Sequence, residues 1–246
     1  MRFLSACIRK VNCAFASVLL PISLLTMVLQ LSMPTFAFVI NRTTLQRQHG
    51  RPTSTSFFSL VSETAQMESM ANKLAWKLID KINEAGQIGT KAPEAEQVDI
   101  AALADRLSDL QYESAIEIPT DATLTGTHEL LYSMSPGGSS GAIGPFVGKV
   151  TQEFVDEVKF INAVQLGPFT IELHAVREVI DNVRIRVKFQ ETVIRIFGVE
   201  VTRKEAKGAG VWKQLFVGEV CRGNDRRLLR VMETPSLFVI QQPLSS

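Results

Sequence analysis

Apolar residues recur at two different periods along this chain, and the change of period divides it. Met67, Met70, Ala71, Leu74, Ala75, Leu78, Ile79 and Ile82 lie three and four apart, the spacing that gathers side chains on one face of a helix. Lys73, Lys77, Asp80 and Lys81 fill the other face, and Gly86 supplies a stop. The pattern predicts an amphipathic helix of about five turns. A linker containing Gly86 and Pro93 leads to Ile100, Leu103, Ala104, Leu107 and Leu110, a second helical series for which Asp99 is a fair N-cap. The apolar faces of both helices are expected to pack against the rest of the body rather than lie on a membrane surface.

From about Thr127 the period falls to two. Leu130 and Tyr132 alternate with Glu129 and Ser133; Val150, Gln152 and Phe154 lead to Phe160, Asn162 and Val164; Phe169, Ile171, Leu173 and Ala175 follow Gly167-Pro168. Val183, Ile185, Val187 and Phe189 alternate with Arg184, Arg186 and Lys188, the apolar-in, basic-out signature of a wall with one wet face. Ile194 and Ile196, Val211-Trp212, Leu215-Phe216-Val217, Leu228-Leu229, Val231 and Leu237-Phe238-Val239 complete the series. About eight to nine short strands with turns between them, and no helical pattern among them, predict a mainly β fold, an antiparallel barrel or sandwich. A closed barrel of about eight strands is wide enough for one small apolar ligand.

The front of the chain has a different character. Arg2, Arg9 and Lys10 precede an uncharged stretch, Val11 to Asn41, that ends in the small-residue pattern Thr35-Phe36-Ala37. This is the layout of a cleaved signal peptide, with the cut after Ala37. A membrane anchor is the competing reading, since the uncharged span is long enough to cross a bilayer; Pro21, Ser23, Thr26, Gln30 and Ser32 weaken it. Phe38 to Ser62 carries Arg42, Arg47 and Arg51, many Ser and Thr, and no acid, as a transit peptide does. Signal plus transit segment resembles the bipartite presequences of algae whose plastids have extra membranes, although Val39 stands where their motif carries Pro. The expected organisation is a signal peptide over 1–37, a transit-like segment over 38–62, helices over 63–112 and a β domain over 113–246.

Charge sharpens that division. The whole chain is near neutral at +1. The first 62 residues hold six basic and no acidic residues, which leaves 20 basic and 25 acidic in the body. A mildly acidic body has no bulk attraction for nucleic acid. Cys221 is the only cysteine beyond the leader, so the body has no internal disulfide and suits a reducing compartment. Of three histidines, only His128 and His174 lie in the body, and neither has metal-ligand spacing with Cys, Asp or Glu. The glycine-rich run Gly137–Gly148 joins two strands, not a strand to a helix, so it lacks the context of a phosphate loop. Arg226, Arg227 and Arg230 read as a basic surface knot. Glu172 and His174 share a strand face at i and i+2, and they are the pair on which an enzymatic reading rests. The residues call for no catalytic group, no metal and no cofactor.

Gly126-Thr127-His128-Glu129-Leu130-Leu131-Tyr132-Ser133 resembles the G-x-W-x-L-L-Y-T block that opens the barrel of the plastid lipid-associated protein (PAP/fibrillin) family. Leu229-Arg230-Val231-Met232 and Ser236-Leu237-Phe238-Val239-Ile240 are similar to that family's ending, and Gly208-Ala209-Gly210-Val211-Trp212 to the run before its penultimate strands. The resemblance covers roughly Ser69–Gln242. His128 replaces the expected Trp, and Asp225 is the nearest candidate for an acid often found beside the last strands. The resemblance implies a lipocalin-like barrel, delivery to the plastid, and peripheral association with thylakoids or plastoglobules. It implies that the partner is a hydrophobic small molecule or lipid (carotenoid, quinone or neutral lipid) with no catalysis; the alternative is an enzyme or enzyme-accessory protein of isoprenoid or quinone metabolism. Leu130, Tyr132, Phe154, Phe160, Phe169, Ile171, Phe189, Trp212 and Phe216 are the candidates to line the cavity.

Overall fold

The computed structural model of the chain describes residues 54–113 and 125–244. The predicted signal peptide, its cut after Ala37 and the presequence up to residue 53 lie outside the described residues. Helix α1 runs Ser54–Ala85 and α2 runs Glu94–Glu113. α1 thus begins inside the segment assigned to the transit peptide. It stops where expected: Gly86 takes φ +83°, a left-handed conformation that suits glycine, and its amide donates to the Ile82 carbonyl at 2.8 Å.

The start of α2 corrects the sequence reading. Asp99 is not its cap but lies in the second turn, 3.6 Å from Lys81 on α1. The Pro93 carbonyl accepts from the amides of Glu96 and Gln97, so the helix opens immediately after a proline, with Glu94 and Glu96 in its first turn. Acidic residues there complement the helix dipole, and the polar run Glu94–Gln97 hid the extra turn from an apolar-periodicity count.

The rest is strand: β1 (Gly126–Ser133), β2 (Ala142–Ile143), β3 (Phe146–Val147), β4 (Lys149–Phe154), β5 (Lys159–Leu166), β6 (Phe169–Val179), β7 (Arg184–Ile196), β8 (Val199–Glu205), β9 (Ala209–Arg222), β10 (Asp225–Glu233) and β11 (Leu237–Pro243). β2 and β3 form a small hairpin of their own inside the glycine-rich run. The other nine make one antiparallel sheet in the order β6-β5-β4-β1-β11-β10-β9-β7-β8. β6 also pairs with β7 along eleven register positions, Phe169↔Ile196 to Val179↔Ile185. The pairings of eight strands therefore return on themselves. β7 shares its second edge between β9, which takes Arg184 to Lys188, and β8, which takes Glu191 to Ile196.

Both faces of β1, β9, β10 and β11 are buried, in different company. On one face α1 and α2 lay Ala75, Trp76, Leu78, Ile79, Ile82, Ile100, Leu103, Ala104 and Leu107 against Tyr132, Leu215, Phe216, Val220, Leu229, Val231, Leu237 and Val239. The docking is keyed by polar contacts. Asn72 exchanges two hydrogen bonds with the backbone of Cys221, at 2.7 and 2.9 Å, and the guanidinium of Arg222 lies 4.1 Å over the Trp76 ring while pairing with Asp80. Among the described residues no helix is long and apolar enough to cross a membrane.

Candidate functional site

The face turned away from the helices carries the second cluster: Leu130, Val150, Phe154, Phe160, Ala175, Ile185, Val187, Trp212, Met232, Phe238 and Ile240, with Val164 and Phe189 packed against it. Strand alternation places these side chains inward and Arg186 and Lys188 outward. An aromatic stack forms the centre. His128 meets Phe154 edge-on at 5.4 Å, Phe154 meets Phe160 at 5.8 Å, and Phe160 meets Trp212 at 5.4 Å.

Five of the nine cavity candidates, Leu130, Phe154, Phe160, Phe189 and Trp212, belong to this inner group. Ile171 shares their face through its register partner Val164 and is half-buried. Phe169 shares the face too, but sits at the β5–β6 turn with 36% of its surface exposed. Tyr132 and Phe216 lie on the other face, against the helices. Each follows a register irregularity: β1 slips between Leu130 and Tyr132, and β9 carries the extra residue Leu215 opposite Val231 and Met232. An inserted residue reverses the facing of everything after it, which a strict count by twos does not anticipate.

The inner face also holds polar groups, one of which the sequence reading placed elsewhere. Arg230, assigned there to a surface knot, is fully buried. Its guanidinium lies 4.8 Å over the Phe154 ring and one nitrogen touches the Met232 sulfur at 3.4 Å. Its Nε and Nη1 have no hydrogen-bond partner, and among the described residues no salt bridge reaches it. Burial and then the neighbouring Arg177 charge push its pKa down to about 9. Arg177, 4.7 Å over the same ring, is anchored by the Glu157 and Asp156 carbonyls at 2.9 and 3.2 Å. Gln214 is buried with neither amide atom partnered. Gln152 donates to Asn162 at 2.9 Å.

His128, fully buried, is pushed down to about 4 by burial first and by the Arg230 charge second. The Gly126 carbonyl opposes the shift, at a geometry too poor to count as a hydrogen bond for either ring nitrogen. Arg226 is exposed and pairs with Glu219, whereas Arg227 pairs with Asp225 and lies half-buried 5.1 Å over the Trp76 ring on the helix side. The basic knot therefore does not exist as a unit.

Glu172 and His174 do meet, at 2.9 Å. They belong to a closed circuit of six groups on the outer face of β6, β7 and β8: Glu172, His174, Glu191, Arg203, Glu200 and Arg195. The circuit encloses fully buried Val193. Burial alone would raise the Glu172 carboxyl, but its bonds to His174 and Arg195 hold it below the usual range. Cys221 is an exposed free thiol. Among the described residues no group of His, Cys, Asp and Glu could hold a metal. A surface groove of about 470 Å³ runs between α2 and β9–β11, past Ser108, Tyr112, Lys213 and Glu233; it lies on the helix side.

Two helices packed on a large antiparallel sheet, whose other face is an aromatic interior with embedded polar groups, define a mainly β protein with an inner face of its own. The chain matches the PAP_fibrillin family model over residues 72–227 and belongs to that family. The family is plastid-associated and generally structural rather than catalytic. No curated protein and no solved structure matches the chain.

Proposed function

We propose that the sheet is a closed, lipocalin-like barrel, and that the protein is a non-catalytic plastid protein that binds and shields a hydrophobic metabolite within it. The observation that carries this reading is the circuit of pairings through β6 and β7, which surrounds an inner face rich in Phe and Trp. A closed barrel of eight strands is wide enough to hold one small ligand. Burying hydrocarbon there contributes about 25 cal/mol per Å², enough for useful affinity with few polar contacts. Membership of a plastid-associated family supports a plastid destination, and the two-part presequence read from residues 1–62 supplies the route. Peripheral association with thylakoids or plastoglobules follows from the same reading. The enzymatic alternative loses its best pair, because Glu172 and His174 are tied into the outer circuit of charges. The test is lipid extraction and mass spectrometry of the protein isolated from plastids. An apolar metabolite in stoichiometric amount is expected; no co-purifying lipid and no partition into plastoglobules would overturn the proposal.

A further inference from the structure

Arg230 is the most anomalous of the described residues. It stands on β10 between Leu229 and Val231, both buried against the helices, so alternation drives it into the interior. Its register partners there are Ile240 on β11 and Val217 on β9, both buried and apolar. A guanidinium cannot shed its charge as easily as a lysine or histidine. A buried cation without a carboxylate is strongly disfavoured. The other inward positions of the same row, Val217, Ile240 and Leu130, are aliphatic.

Three further facts point the same way. Two of the three guanidinium nitrogens are unpartnered. Gln214, beside Met232 in the β9–β10 register, leaves both a donor and an acceptor unused in the same interior. His128 holds an imidazole there with neither nitrogen bonded. Folding alone gives no account of three unsatisfied polar side chains, all 1% exposed or less, in one core.

The apolar neighbours give the site a direction. Arg230 pairs with Ile240, and Ile240 with Leu130. Further round the same face, Val164 pairs with Ile171, and Ile171 with Ile194. These last three are only half-buried, whereas Leu130, Ile240 and Arg230 are fully buried. The inner face therefore grades from an accessible hydrocarbon surface on β5–β7 to an unpaired cation on β10. That is the shape of a receptor for a molecule with an apolar body and one anionic end.

We propose that Arg230 is the headgroup receptor of the interior, binding the carboxylate of a long-chain acid whose hydrocarbon tail lies along the apolar inner face towards Val164, Ile171 and Ile194. A carboxylate accepts from more than one guanidinium nitrogen at once, and Gln214 and His128 supply further donors. A single negative charge matches the one guanidinium of the inner face that, among the described residues, has no oxygen partner, Arg177 being held by the β4–β5 turn. The assignment rests on the proposed function, in that it takes the inner face as a ligand chamber. It then selects acids over neutral lipids.

The test compares cis-parinaric acid, a fluorescent 18-carbon polyene acid, with its methyl ester. Both are titrated near neutral pH into the body of the protein from Ser54 onward, and into the Arg230→Met variant. A charge-assisted hydrogen bond lost on esterification corresponds to about ten- to hundredfold in affinity. The acid is expected to bind the wild-type protein more tightly than the ester by that factor, and the preference is expected to vanish in Arg230→Met through loss of acid affinity. Arg230→Met is also expected to melt at a higher temperature than the ligand-free wild type, because an uncompensated buried charge is gone. Equal binding of acid and ester by the wild type overturns the proposal while leaving the lipid chamber intact, and needs no variant. Binding of neither probe overturns the chamber itself. A preference for the acid that survives Arg230→Met moves the headgroup elsewhere and overturns the assignment.

Discussion

The two faces of β1, β9, β10 and β11 are both buried, yet they are built to different specifications. Against the helices, aliphatic side chains interdigitate, and the polar atoms left without partners are neutral ones, the Tyr132 hydroxyl and the Trp76 indole N–H. On the inner face of the same strands, the core includes a buried guanidinium, a buried amide and a buried imidazole, none fully satisfied. A core that serves only folding is expected to resemble the first. Polar groups that cost stability and are kept are where function is sought. The helix side holds the sheet together; the unsatisfied polar groups of the inner side are what the proposed ligand would use.

The comparison breaks first at its strongest point. Leu78 is fully buried between helix and sheet; Leu78→Ala is expected to lower stability by about 2–5 kcal/mol, read from chemical denaturation, with little change in ligand selectivity. A loss below about 1 kcal/mol would mean that α1 does not carry the fold.

The inner face has a pH signature in His128. His128 is neutral when folded, with a pKa of about 4, and about 6.5 when unfolded. Its contribution is thus complete above about pH 6.5 and is lost as the pH falls towards 4, where the unfolded chain takes up a proton that the native state refuses. Between pH 7 and 5 the wild type is expected to lose about 2 kcal/mol more than His128→Phe. Parallel stability curves in that window would place the imidazole in contact with water.

Gly89 tests the fit of the helix side. A Cβ there would lie 2.5 Å from the Tyr132 ring, so Gly89→Ala is expected to cost about 1–3 kcal/mol by overpacking, and thermal melts of the variant should show it. The smallest effect belongs to the outer circuit of charges. Its members are half-exposed, so Glu172→Gln should lower stability by about 1 kcal/mol or less. The difference should shrink at high salt, and ligand binding should be untouched.

How much of this was legible beforehand follows from what covers each element. Strands with one wet face, such as β7 with Arg184, Arg186 and Lys188 turned out, declare themselves by alternation. β10 does not: Leu228-Leu229 and Val231 mark a strand, and Arg230 among them reads as surface, because nothing in a strand's own pattern says that helices will cover its far side. Tyr132 and Phe216 were misfaced for a related reason. Their bulges depend on how two strands meet, and a single strand's sequence carries no trace of that. His128 was noticed only as a departure from a family Trp. Its place edge-on to Phe154 shows that it takes up space in the interior, as a Trp would.

The chain's two tryptophans stand one on each face, Trp76 against the helices and Trp212 in the interior, and they allow the direct measurement. A dibrominated stearic acid quenches tryptophan at close range. Titrated into Trp76→Phe, which keeps only the inner reporter, it is expected to quench strongly and saturably; titrated into Trp212→Phe, which keeps only the helix-side reporter, it is expected to leave the emission nearly unchanged. Equal quenching of both, or quenching of Trp76 alone, would contradict the claim that the inner face is the one that receives the ligand.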